Sequence, residues 1–162
     1  MQRRRLVVAA CLIVAAVGTA IGWVYTHPPL SSSGYSTRHD GEGTPLAHGV
    51  DLINNGRWPL TLVAVTVDGQ EILPPHAIAV ANFTDGELAG SAAITMEREG
   101  HKLTKGPVYG WKMQPARRVG RSRYAIRLDT SGFPAEFRKI IVHYRYLGLP
   151  MRYDFTLEWM SR

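Results

Sequence analysis

"KIIVHYRYLGLPMRYDFTLEWM", residues 139 to 160, decides the fold. Ile140, Val142, Tyr144 and Tyr146 alternate with Ile141, His143 and Arg145, and further on Tyr153, Phe155, Leu157 and Trp159 alternate with Arg152, Asp154, Thr156 and Glu158. A period of two marks half-buried strands, because successive strand side chains point to opposite faces. The Leu-Gly-Leu-Pro stretch between the runs supplies turn chemistry, so the whole reads as a β-hairpin. Opposed residues of an antiparallel pair share a face. The register we expect pairs Tyr146 with Tyr153, which also sets Arg145 opposite Asp154.

Upstream, "NNGRWPLTLVAVTVDG", residues 54 to 69, has a turn at Asn55-Gly56, an apolar run from Leu60 to Val67 and a second turn at Asp68-Gly69. A run apolar on both faces predicts a central strand, covered on both sides or nearly so. Further strands are expected at His48 to Ile53, Ala77 to Phe83, Ala92 to Met96, near Tyr109 to Met113, and at Arg123 to Asp129. "FPAEFRK", residues 133 to 139, has the look of one helical turn where the chain crosses between sheets. Trp58 and Trp159 are expected to fill the core. Seven or eight short strands with Gly and Pro between them, and no amphipathic helix, predict an all-β fold, an antiparallel β-sandwich.

The first segment answers a different question. From Leu6 to Tyr25 there is no charged residue, and twenty helical residues rise about 30 Å, the thickness of a bilayer's hydrocarbon core. Trp23 and Tyr25 fall where an interfacial aromatic belt belongs, and His27-Pro28-Pro29 ends the helix. Gly18-Thr19-Ala20 offers a cleavage site before Ile21, which would release a secreted domain. The apolar run continues past it, so a retained anchor is the better reading. Arg3, Arg4 and Arg5 place the preceding tail in the cytoplasm and the rest outside. Val8-Ala9-Ala10-Cys11 has the residue types of a lipoprotein box, but only Leu6 and Val7 separate it from the arginines.

These readings divide the chain into a basic cytoplasmic tail at 1–5, a transmembrane helix at 6–25, a linker at 26–47 and a β-sandwich domain at 48–162. The linker is dense in Pro, Ser, Gly and Thr and has no apolar period, so little fixed structure is expected there. About 115 residues suffice for one compact domain. Cys11 is the only cysteine and lies in the span, which excludes disulfides, thiol catalysis and Cys-based metal sites outside.

Together, "NNGRWPLTLVAVTVDG" and the late "FRKIIVHYRYLG" hairpin resemble the immunoglobulin-like or fibronectin-type modules of small, uncharacterised, membrane-anchored bacterial proteins. The resemblance covers most of residues 48 to 162. It implies an immunoglobulin-like sandwich at the cell surface that binds or presents something, and it carries over no catalytic residues.

Motifs of known chemistry are missing. "LDTSGF", residues 128 to 133, differs from an aspartic protease motif by an extra residue before the glycine and has no second copy, so Asp129 reads as structural. The histidines at 27, 39, 48, 76, 101 and 143 lack His-x-His or His-x-x-x-His spacing. His39 with Asp40 and Glu42 would hold a cation only loosely. Neither a Gly-x-Ser-x-Gly elbow nor a phosphate-binding glycine loop occurs. No catalytic residue, metal or cofactor is expected.

Charge is more informative. The net charge of +6 falls to +3 without Arg3, Arg4 and Arg5, and the remainder is uneven: −5 over residues 26 to 96, +6 over 97 to 123 and +2 over 124 to 162. The middle segment holds Arg98, Lys102, Lys105, Lys112, Arg117, Arg118, Arg121 and Arg123, with Tyr109 and Trp111 among them. Guanidinium forks beside aromatic rings suit phosphate or carboxylate, so these ten residues are the candidate anion- or partner-binding site. The competing reading is a solvated loop with Trp111 in the core. No nucleic-acid recognition element is visible.

The expectation is therefore a single-pass bacterial envelope protein, held in the lipid bilayer through residues 6–25, whose extracytoplasmic domain binds an envelope protein or an anionic polymer without catalysis. The alternatives are an envelope hydrolase or transferase without a recognisable motif, and a structural subunit that docks through a sheet edge. The latter predicts an uncapped, mostly uncharged edge strand.

Overall fold

The computed structural model describes residues 2–39, 45–83, 100, 102–121, 123–129 and 137–156. One helix, α1 (Gln2–Thr26), precedes two antiparallel sheets. Leu6–Thr26 is long and apolar enough to cross a membrane, and its side chains from Leu6 to Trp23 are exposed.

The first sheet contains β1 (Leu30–Ser31), β2 (Tyr35–His39), β3 (Pro45–Asn54), β6 (Ala77–Ala81), β7 (Thr104–Pro107) and β9 (Tyr124–Asp129). Strands β1 and β2 pair with successive parts of β3, and β9, β6 and β7 follow on its other side. The second sheet contains β4 (Leu60–Val67), β5 (Gln70–Glu71), β8 (Lys112–Met113), β10 (Lys139–Tyr146) and β11 (Leu149–Thr156). Its order runs β11, β10, β4, with β5 and β8 pairing with opposite ends of β4. A short helix, α2 (Ala116–Val119), lies between β8 and β9.

Both sheets bury side chains in one apolar cluster. Val50, Leu52, Ala79, Ile126 and Leu128 come from the first sheet, and Leu60, Leu62, Val65, Ile140, Val142 and Tyr144 from the second. The central strand is β4, as its sequence predicts, flanked by β10 on one side. A bulge opposite His143 and Tyr144 adds one residue to β4, so Leu60 and Leu62 face the core together with Val65 and Val67. This phase shift is why the run reads as apolar on both faces.

The final hairpin forms with Ile140, Val142, Tyr144 and Tyr146 buried, but its register corrects the expected one. Tyr146 pairs with Leu149, and Arg145 with Pro150, while Asp154 faces Ile141. The connection is a two-residue turn, Leu147-Gly148, with φ of 53° and 80°. Such a turn matches the twist of the strands it joins. Pro150 is accommodated because β11 is an edge strand, where a missing N–H is tolerated.

Residues 26–47 also differ from expectation. Instead of little fixed structure, they supply β1 and β2, and Leu30 and Tyr35 pack on the core. Two short strands broken around Gly34 leave no readable period. The strand expected at Ala92 to Met96, most of the helical turn expected over 133–139, and Trp159 lie outside the described residues.

Candidate functional site

The helix and the charged segment meet at one end of the sheets. His27 N–H donates to the Trp23 carbonyl at 3.0 Å and its ring stacks on Trp23, closing α1 before Pro28 and Pro29 stop it. Asn55 N–H then donates to the Pro29 carbonyl at 2.7 Å, so the turn after β3 lies directly beside the helix exit. Asn54, buried, holds that turn from inside: its amide donates to the carbonyls of Trp58 and Met113, both at 3.0 Å, and its oxygen accepts Gly56 N–H at 2.9 Å.

Two further elements join there. The Tyr146 hydroxyl accepts Arg57 N–H at 3.0 Å, which brings the Leu147-Gly148 turn alongside. The Arg117 guanidinium donates to the Arg57 carbonyl at 2.8 Å, which attaches α2. The helix exit, both turns and α2 thus share one end, and Trp58 stands out of it at 50% exposure. The expectation that Trp58 fills the core is corrected: its neighbour Pro59 and the Asn54 bridge turn the segment outward before β4 begins.

The ten candidate residues are divided by the fold. Arg98 lies outside the described residues. Lys102 precedes β7, and Lys105, on β7, is exposed at the edge of the first sheet. Tyr109 is 76% exposed in the turn that crosses to the second sheet, and Lys112 is exposed on β8. Trp111 is half-buried against the core, its ring lying over Gly106. Arg117, Arg118 and Arg121 are exposed, the first two on α2 and the third just after it, and Arg117 reaches the helix-proximal end through Arg57. Arg123 is committed to the backbone, donating to the carbonyls of Val119 at 3.0 Å and Asn82 at 3.4 Å. It anchors α2 and is a positioning group.

Arg57 is the residue that sequence reasoning missed, and its signal was local: it adjoins Trp58 in a turn, outside the basic segment. Among the described carboxylates, Asp51 is buried, while Asp68, Glu71, Asp129 and Asp154 lie toward the opposite end of the strands. There Asp68 accepts the N–H groups of Arg138 and Lys139, and Lys139 pairs with Asp154 at 2.5 Å. Among the described residues, the exposed carboxylates thus lie away from the helix-proximal end, where Arg57 and Arg117 meet.

A cleft of about 1080 Å³ separates the end of α1 from the sheets. Its walls are Ala16, Thr19, Ala20, Trp23 and Val24 of the helix against Arg57, Trp58, Tyr146 and Leu147. Among the described residues, no carboxylate or serine lines it. A smaller depression of about 480 Å³ on the second sheet includes Glu71 and His143 but, among the described residues, no serine. Among the described residues, no group of three or more His, Cys, Asp or Glu could hold a metal ion.

Burial pushes the phenols of Tyr35, Tyr124 and Tyr144 up, Tyr144 to about 12. For Tyr124, the Gln114 N–H it accepts at 2.9 Å opposes the shift. For Tyr35, Thr37 does so, and the Tyr35 hydroxyl also contacts His48 Nδ1 inside the first sheet. These groups brace the fold; none lines the cleft. Comparison with protein-family models, curated proteins and solved structures finds no match to this chain.

Proposed function

We propose that this chain is a single-pass bacterial envelope protein that presents an immunoglobulin-like sandwich outside the cytoplasm and binds an anionic partner without catalysis. Strand order supports the fold reading. The sequence β1/β2, β3, β9, β6 in one sheet and β11, β10, β4 in the other corresponds to the ABED and GFC arrangement of immunoglobulin domains. Arg3, Arg4 and Arg5 before the span support a cytoplasmic N-terminal side.

One observation carries the binding reading: Arg57 and Arg117 meet at the end where the apolar helix leaves, Arg118 and Arg121 are exposed on and just after the same short helix, and no described carboxylate lies at that end. Hydrolysis or group transfer would need a nucleophile, base and acid converging in a pocket, and the described residues of the cleft do not supply that set. Docking through a sheet edge is disfavoured by β11, whose outward residues include Pro150, Arg152 and Asp154, features that blunt an edge.

Alkaline carbonate extraction of cells expressing the tagged chain, with outside-added protease, tests the anchor: the expected product resists extraction and loses its C-terminal tag. Substituting Arg117, Arg118 and Arg121 with Ser is expected to weaken retention on a polyanion column and flatten its salt dependence. Unchanged retention would remove the anion-binding reading.

A further inference from the structure

We infer that the helix-proximal end of the sheets docks on anionic phospholipid of the bilayer that α1 spans, with Trp58 and Leu147 in the interfacial layer and Arg57 and Arg117 on headgroup phosphate. The inference rests on the anchored reading and names the anionic partner.

Depth is the first argument. The cleft wall reaches from His27 back to Ala16. Ala16 is ten residues before the end of α1, about 15 Å along its axis, so in a spanning helix this wall lies within hydrocarbon. Water does not fill an apolar-walled cleft at that depth, and lipid does. Trp58 and Leu147 line the same cleft, across from that helix wall.

Residue choice is the second. Trp58 and Leu147 are 50% and 53% exposed at the one end that faces the membrane. Indole suits the interface, where one edge meets lipid and the other water. Leu147 is more telling, because it occupies a left-handed position, φ 53°, which favours Gly, Asn or Asp. The distal β4–β5 turn has φ values of 47° and 87° and uses the ordinary pair, Asp68-Gly69. Among the described residues, Leu147 is the one leucine held against turn preference, and an exposed leucine so held where the fold meets lipid has a use there.

Charge is the third. Arg117 is oriented by its bond to the Arg57 carbonyl, which sets two guanidinium-bearing residues side by side at headgroup level. Planar guanidinium donors match phosphate oxygens in pairs.

The test uses the full chain in nanodiscs of phosphatidylcholine alone or with phosphatidylglycerol, and reads nitroxide relaxation by oxygen against a water-soluble nickel chelate. Labels are attached at native Cys11 or, in a Cys11→Ser background, through Leu147→Cys or Gln70→Cys, the last at the distal turn. The expected result is lipid exposure at 11 and 147 and water exposure at 70, with the signal at 147 shifting several-fold toward water on adding Arg57→Ser and Arg117→Ser. Water exposure at 147 with lipid exposure at 11 overturns the docking alone. Water exposure at 11 overturns the anchor and the docking with it. Equal depth at 147 in both lipid compositions overturns the assignment to anionic headgroups.

Discussion

The Tyr146 hydroxyl accepts Arg57 N–H at 3.0 Å, and a Cβ added to Gly56, next to Arg57, would lie 2.7 Å from that same oxygen and 2.9 Å from the Pro29 Cβ. The phenol thus joins the end of β10 to the turn after β3, and Gly56 of that turn packs on the helix exit. Tyr146→Phe removes the acceptor and is expected to cost about 1 kcal/mol, with faster hydrogen exchange at the Arg57 amide. Gly56→Ala forces the packed ring or Pro29 aside, at about 1–3 kcal/mol. Denaturant midpoints of the full chain in detergent check both, and a Gly56→Ala midpoint equal to the parent's would show the contact to be looser than described.

The two hairpin turns give an opposing pair of effects. Leu147→Asn places a residue that tolerates positive φ where leucine is strained, and is expected to stabilise the fold by about 1 kcal/mol. The same change removes the apolar group proposed to meet lipid, so higher thermal stability should accompany weaker lipid contact at Trp58, read by quenching with brominated lipid. Gly148→Ala, at φ 80°, should destabilise by about 1 kcal/mol. A lower melting temperature for Leu147→Asn would show that the leucine is held by packing rather than retained against strain.

Much of the β-structure was legible because burial on one face writes a period of two into sequence. Tyr153 and Phe155 alternate with Asp154 and Thr156 in β11 just as half-burial requires. The register was not legible, since an aliphatic leucine at the first turn position does not announce a left-handed residue. Strands β1 and β2 were hidden by their brevity and by Gly34 between them. The candidate site was legible in charge but not in shape. Arg123 and Trp111 belong to packing and Arg57 to the site because Asn54, Tyr146 and Arg117 connect segments far apart in the chain, and no local pattern encodes those bonds.

Trp111 offers a probe of how the basic segment crosses between sheets. Its ring lies so close to Gly106 that a Cβ there would stand 2.7 Å and 3.1 Å from two ring carbons. Gly106→Ala should therefore displace the indole from its half-buried seat, at about 1–3 kcal/mol. Near-ultraviolet circular dichroism is expected to weaken, with a red shift of tryptophan emission. Charged neighbours Lys105 and Lys112 keep their strand positions if β7 and β8 hold, so polyanion retention should change little. Loss of retention with intact strands would mean that Trp111 takes part in binding.

Alkaline pH should uncouple the core through Tyr144. The residue is 1% exposed, and the Leu30 backbone beside its hydroxyl only partly opposes the effect of burial. The folded phenol is pushed up to about 12 from an ordinary value of 10.0. A raised pKa means that the fold binds this proton more tightly than the unfolded chain does. The resulting stability is fully present below pH 10 and declines as pH rises from 10 toward 12, by about 1.4 kcal/mol per unit. Burial of Tyr35 and Tyr124 acts in the same direction. Tyr144→Phe abolishes this titration and gives up only the contact with the Leu30 backbone, so its stability near neutral pH should match the parent's within about 1 kcal/mol. Between pH 10 and 12 its denaturation midpoint should fall less steeply. Parallel alkaline curves for the two proteins would mean that the Tyr144 phenol ionises without penalty, and that the centre of the second sheet is open to water.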